Sequence, residues 1–320
     1  MTRVAAVDCG TNSIRLLISD VRPGGEVRDV HRSMEIVRLG QGVDAHGEFH
    51  PDAIERTRVA LTKYVQQMKF EGVTRVRMVA TSATRDVSNA DDFFEMTAEL
   101  LGEIQQGARA EVISGEEEAL LSFQGAVGDL SKDRSPYCVI DLGGGSTEFI
   151  VGDSEGEIRG AHSARMGCVR LTERMMPSDP PSETEIEIAQ DYVSERMEEV
   201  EKIVPIGDVK TFVGCAGTFT TLSALAQGLE RYDAELIHGS VLRFDALRVL
   251  TKQLIAESAE ARALNPVIHP GRADVIGGGS VAVEGIMKMI ERNNDANSFY
   301  ISEKDILDGI IAGIVADMYA

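Results

Sequence analysis

The 320-residue chain has no excess of base: 32 Lys and Arg stand against 52 Asp and Glu, a formal net charge of −20. That balance argues against non-specific binding to nucleic acid or to an anionic membrane, both of which need a basic surface. It also sets a condition on any anionic ligand. Such a ligand must be held locally, by backbone N–H groups, a metal ion and a few placed arginines. Also missing is any apolar run approaching the ~18–20 residues that span a bilayer. Met1-Thr2-Arg3 leads straight into a strand pattern, without the apolar core and cleavage site of a signal peptide. No C-x-x-C pair occurs among the four cysteines, Cys9, Cys138, Cys168 and Cys215. Each lies among apolar or small residues, the pattern of buried thiols in a reducing compartment. These absences predict a cytoplasmic chain with no membrane and no nucleic-acid partner. Apolar content of 43% over this length suits a large core and two ordinary domains.

One segment occurs twice. Val7-Asp8-Cys9-Gly10-Thr11-Asn12-Ser13-Ile14-Arg15 reads against Ile140-Asp141-Leu142-Gly143-Gly144-Gly145-Ser146-Thr147-Glu148. Each copy is an apolar strand ending in Asp, a tight turn of small and hydroxyl residues, then a second apolar strand. The duplication predicts two related lobes facing one another, each offering a phosphate-gripping hairpin. Strand and helix patterns alternate in both halves, so the class is α/β. The polar stretch 129–136 marks the boundary. It divides an N-terminal domain, 1–128, from a C-terminal domain, 129–304, and a closing helix at about 305–320 is placed back on the first. Asn89 is positioned to cap a helix ending near Leu101, and residues 166–171 read as a strand.

Several residues point to phosphate chemistry. Gly10, Gly143, Gly144 and Gly145 allow close backbone approach, and successive N–H groups in such turns form anion-binding concavities. Thr11, Asn12, Ser13, Ser146 and Thr147 add donors. Asp8 and Asp141 end their strands at the loop mouths, where Mg²⁺ could be held directly or through water. A third turn, Val213-Gly214-Cys215-Ala216-Gly217-Thr218, joins a strand to a helix and gives phosphate a close approach at Gly217 and Thr218. Glu117 and Glu118, in Ser114-Gly115-Glu116-Glu117-Glu118-Ala119, either form a solvated helix start or supply a carboxylate that orients a water for in-line attack. Arg85 is either a phosphate clamp or a surface partner of Asp86 or Asp91. The glycines of Gly277-Gly278-Gly279-Ser280 indicate close helix packing or a break. His269 is flanked by prolines, and His238 reads as structural.

Together these segments, with Ala80-Thr81-Ser82-Ala83-Thr84-Arg85-Asp86, resemble the exopolyphosphatase / guanosine pentaphosphate phosphohydrolase family, in the family's order and over essentially the whole chain. The resemblance implies the actin / sugar-kinase / Hsp70 ATPase fold, two ribonuclease-H-like domains with an active site between them. It implies release of terminal phosphate from polyphosphate, guanosine pentaphosphate or both. Glu118 falls on the glutamate that positions or deprotonates the attacking water. Asp141 and Glu148 fall on the metal-linked acids, with Mg²⁺ as the cofactor and Mn²⁺ as its alternative. The phosphate contacts fall on the first loop, on Gly143 to Thr147 and on Arg85. The chain's length matches the short, two-domain form, which favours short polyphosphates or the guanosine substrate, with a homodimer as an option for assembly. A small-molecule kinase of the same fold and a catalytically weak alarmone- or polyphosphate-binding regulator are the alternatives.

Overall fold

A computed structural model describes residues 2–85 and 87–320, so Asp86 lies outside the described residues. The chain divides into two compact units: residues up to Gly125 together with Ile306–Ala320, and Ala126–Asp305.

The first unit is built on a five-stranded sheet: β1 (Thr2–Cys9), β2 (Ser13–Val21), β3 (Val27–Ile36), β4 (Arg75–Ala80) and β5 (Ala110–Val112). Their spatial order is β3-β2-β1-β4-β5. The first three strands form an antiparallel meander, and β4 and β5 lie parallel to β1. Side chains alternate along a strand, so the nearly continuous apolar run of β1 serves two cores. Ala5, Val7 and Cys9 join Leu61, Tyr64 and Met68 of the Pro51–Glu71 helix and Phe93 and Met96 of the Asp91–Gly102 helix. Val4 and Ala6 join Leu121 and Ile306, Leu307, Ile310 and Ile314 of the closing Ile306–Tyr319 helix. The Pro51–Glu71 helix has Pro at its first position and ends at Gly72, where φ is 70°. Asn89 caps nothing: the Asp91–Gly102 helix starts without a side-chain cap, and Asn89 pairs with both backbone groups of Phe49. Two backbone bonds hold it outside the cap position.

The second unit repeats the plan with one added edge strand. Its strands are β6 (Tyr137–Leu142), β7 (Thr147–Gly152), β8 (Ile158–Ala164), β9 (Thr211–Cys215), β10 (Val241–Arg243) and β11 (Ser298–Ile301). The order is β10-β11-β9-β6-β7-β8. Here β8-β7-β6 is the antiparallel meander, and β9 and β11 run parallel to their inner neighbours. Each sheet therefore holds the ribonuclease-H-like succession. The expected strand at 166–171 is instead the start of a helix, Cys168–Met175. Its alternating apolar residues fit either period, and the N–H groups of its first turn find better acceptors in a neighbouring loop. The Ser182 and Glu185 side chains form a reciprocal capping box at the start of the Glu183–Ile203 helix.

The Ile276–Asn293 helix runs unbroken through its glycines. Packing is their reason: a Cβ on Gly278 would stand 2.5 Å from Thr172 Oγ1 and 2.7 Å from the Cys168 carbonyl. Where the chain enters and leaves this unit, Lys304 pairs with Asp129. His238 Nε2 lies 3.6 Å from the same carboxylate, and its Nδ1 accepts from Glu303 N–H. His269 accepts from Gly271 N–H. Both histidines are local braces.

Candidate active site

The two hairpins close on the same bond. Gly10 N–H donates to Ser13 O at 3.0 Å, and Gly143 N–H donates to Ser146 O at 3.0 Å. In each copy an aspartate ends the first strand. Asp8 stands in register with Arg15, and Asp141 with Glu148.

That register separates their chemistry. Arg15 donates twice to Asp8 Oδ2, from Nη2 at 2.7 Å and from Nε at 3.0 Å. The second hairpin places two carboxylates opposite one another instead. Asp141 and Glu148 are both buried, and Ser163 Oγ donates to Glu148 Oε1 at 2.7 Å. Like charges directly across a strand pair repel, so this pair suits a divalent cation. Two carboxylates meet what magnesium asks of a protein, because it keeps several waters. Among the described residues no group of three or more His, Cys, Asp or Glu is arranged to hold a metal.

In both turns carbonyls are taken up by neighbouring donors. In the first, Thr11 O accepts from Gly40 N–H, and Asn12 O accepts from the N–H groups of Val37 and Arg38. Thr11 is buried, and its Oγ1 has no partner among the described residues. In the second, the opening turn of the Cys168–Met175 helix supplies the donors. Cys168 N–H binds Gly143 O, and the N–H groups of Val169 and Arg170 bind Gly144 O, all within 3.1 Å. Arg170 Nε adds a bond to Gly145 O at 2.7 Å. Gly167 lets this helix come so close: a Cβ there would be 2.4 Å from the Gly144 carbonyl. With its carbonyls engaged, the turn keeps the N–H groups of Gly144, Gly145 and Ser146 without a protein acceptor among the described residues. Such a run of donors suits phosphate. Thr147 faces the core, its Oγ1 donating to Met166 O.

The third turn is more crowded than its sequence suggests. Ala216 sits at φ 66°, a left-handed conformation costing a non-glycine residue about 1–3 kcal/mol. Gly217 is the seat of the Arg272 guanidinium, and a Cβ would fall 2.1 Å from its Cζ. Thr218 is buried and packs against Gly279.

The neighbouring glutamates part company. Glu118, 8% exposed, accepts from Arg85 Nη1 at 2.9 Å, and the same nitrogen reaches Ile113 O. Arg85 Nε and Nη2 donate to no protein acceptor among the described residues. Glu117 points to Arg77, which reaches it from Nη2 at 2.8 Å. Arg85 is thus the partner of Glu118 rather than of Asp91. Ser114 Oγ accepts from Glu117 N–H and starts the Gly115–Val127 helix, fixing the rotation that aims the two acids apart.

Arg15, Arg170, Gly167 and Arg272 were not singled out by the sequence. Only the Asp-to-Arg offset of the first hairpin, compared with the Asp-to-Glu offset of the second, carried a signal for Arg15.

The family model for the Ppx/GppA phosphatase family matches residues 17–313. Exopolyphosphatase 2 of Mycobacterium tuberculosis is 53% identical over 313 residues, 97% of this chain and 98% of that protein. A crystal structure of an exopolyphosphatase-like protein superposes with a TM-score of 0.91 at 37% identity, covering 99% of this chain and 100% of that one. A guanosine-5'-triphosphate,3'-diphosphate pyrophosphatase of Photobacterium profundum is 31% identical over 230 residues, 71% of this chain and 44% of that protein.

Proposed function

The chain belongs to the Ppx/GppA phosphatase family, and from that premise we propose that it releases terminal orthophosphate from polyphosphate, short chains favoured, from guanosine pentaphosphate, or from both. The observation that carries this reading is the pair of matched turns, each closed by the same bond and each preceded by an aspartate. The names of the relatives support both substrates.

In this reading the N–H groups of Gly144, Gly145 and Ser146 bind non-bridging phosphate oxygens. Thr11, Asn12 and Ser13 add donors from the first hairpin, whose turn Gly10 closes. Arg85 holds Glu118 through Nη1 and offers its other nitrogens to phosphate. Glu118 orients a water opposite the leaving phosphate and takes its proton. Asp141 and Glu148 would hold Mg²⁺ or Mn²⁺. When bound, the ion neutralises charge that accumulates on the phosphate oxygens. Positioning and charge stabilisation carry the rate, since phosphoryl transfer asks for little covalent help. The net charge of −20 makes these local donors necessary. Four free, buried cysteines suit a reducing, cytoplasmic setting.

The test compares phosphate release from short polyphosphate, long polyphosphate and guanosine pentaphosphate, each with and without divalent metal. Metal-dependent release from short polyphosphate or from guanosine pentaphosphate is expected. ATP-dependent labelling of a small acceptor with no such release would overturn the hydrolase reading.

A further inference from the structure

Arg262 is a buried cation with one arm to spare. It is 3% exposed. Its Nε donates to Leu254 O at 2.7 Å and its Nη1 to Ala273 O at 2.9 Å. Nη2 has no hydrogen-bond partner among the described residues. The guanidinium lies flat against Gly277, where a Cβ would come within 2.6 Å of Nη2. Burial pulls its pKa below the usual arginine value, and the charges of Asp179, Glu257 and Asp274 oppose that fall. Nη2 is not sealed from solvent, so the arm is a charged donor facing accessible space, where a ligand's acceptor would take the place of water.

That place is a cavity of about 350 Å³ in the second unit, near the small end of the range for ligand sites. It is bounded by the later turns of the Cys168–Met175 helix, by the loop after it and by the start of the Ile276–Asn293 helix. The cavity is separate from the Gly143–Ser146 turn, which meets the other end of the Cys168–Met175 helix. Its walls are of two kinds. Met176, Pro177 and Pro181 present apolar surface. Arg262 presents a cation, and Glu173, Asp179 and Asp274 present three carboxylates. Gly277 and Gly278 belong to the first turn of an 18-residue helix, where N–H groups have no acceptor within the helix.

The mixture narrows the ligand. A simple anion meets three carboxylates, a simple cation meets the guanidinium, and a purely apolar compound leaves Nη2 unsatisfied. Proline rings and a thioether favour a flat, polarizable ring. A ring that sets a carbonyl beside N–H donors meets the guanidinium and the carboxylates of Asp179 and Asp274 together. We propose that this cavity binds a purine through a lactam edge, as guanine presents it, with the carbonyl accepting from Arg262 Nη2 and the ring and exocyclic N–H groups donating to Asp179 and Asp274. Adenine would oppose an amino donor to the guanidinium. The base could belong to a guanosine substrate or to a free guanine nucleoside acting as an effector; only the first source rests on the function proposed above.

The test measures binding of guanosine, which carries no phosphate, to the full chain by calorimetry. Guanosine is expected to bind, and adenosine at least ~10-fold more weakly, the worth of about 1.4 kcal/mol of unpaired polar contact. Arg262→Gln should weaken guanosine by at least the same factor. Because Arg262 also braces the fold, Ala259→Phe is the second variant: it fills the cavity wall and leaves the arginine's bonds alone, and it should abolish binding. Guanosine weaker than about 1 mM, equal affinity for adenosine, or unchanged binding by Ala259→Phe would overturn the site. Phosphate-release assays separate the sources. Competition against guanosine pentaphosphate but not polyphosphate marks the substrate's base; an equal effect on both marks an effector. Binding is read without turnover, so a chain that hydrolyses nothing could still bind guanosine, and the two failures are distinct.

Discussion

Asp141 and Glu148 stand directly opposite each other on β6 and β7, two buried acids where the matching hairpin has the Asp8–Arg15 ion pair. The two copies of one motif have thus taken different electrostatic roles. The first sets an acid opposite a base, and the second sets two acids opposite one another.

Glu148→Gln should therefore change metal response and stability in opposite directions. Removing one of two facing carboxylates relieves repulsion of about 0.2–1 kcal/mol, so the melting temperature in chelator should rise slightly. The stabilisation gained on adding Mg²⁺ should shrink, and the Mg²⁺ needed for half-maximal phosphate release should increase. Thermal melts with and without Mg²⁺ check both. An unchanged metal-induced shift contradicts the assignment.

Gly167→Ala tests how the second turn is held. The new methyl must displace the Gly144 backbone, from which it would be 2.4 Å. Overpacking of this kind costs about 1–3 kcal/mol. Because the displaced group carries the turn's outward N–H donors, KM for phosphate substrates should rise more than the stability loss explains. Arg170→Lys, which loses the Nε bond to Gly145 O, should raise KM with a smaller stability change. Kinetics at a temperature where both variants stay folded decide it.

The cysteines should be silent towards alkylation. Burial pushes the Cys168 thiol up to about 11, with the positive charge of Arg272 opposing the rise. Burial likewise raises Cys9 and Cys138. The folded state thus favours the protonated thiol. Its contribution to stability is full below the ordinary thiol value of 9.0 and is lost as pH climbs through about 11. Iodoacetamide at pH 8 should label the native chain far more slowly than the urea-unfolded chain, as mass spectrometry would report. Rapid native labelling of Cys168 contradicts the burial argument.

Much of this was legible in the residues. Alternation of apolar patterns carries the α/β class, and the duplicated Asp-turn segment carries the two like sheets. Glu118 and Arg85 could be named from their motifs, although their mutual bond could not. What escaped depended on contacts distant in sequence. The span 166–171 has an apolar pattern that serves strand or helix, and the Gly143–Gly145 carbonyls settle the choice by accepting from the helix start. Arg170 and Arg272 looked like ordinary basic residues because their partners are backbone carbonyls of distant turns. The turn at Gly217 read as open ground because nothing local announces that a guanidinium from residue 272 rests on it.

The account turns on Glu118, the acid that Arg85 fixes in place. The most direct measurement is pre-steady-state phosphate release by Glu118→Gln, with substrate affinity measured separately. The expected result is a fall in the rate of at least ~100-fold, the low end for loss of a general base, with affinity little changed. Release at close to the parent rate, with the variant folded and substrate bound, would contradict it.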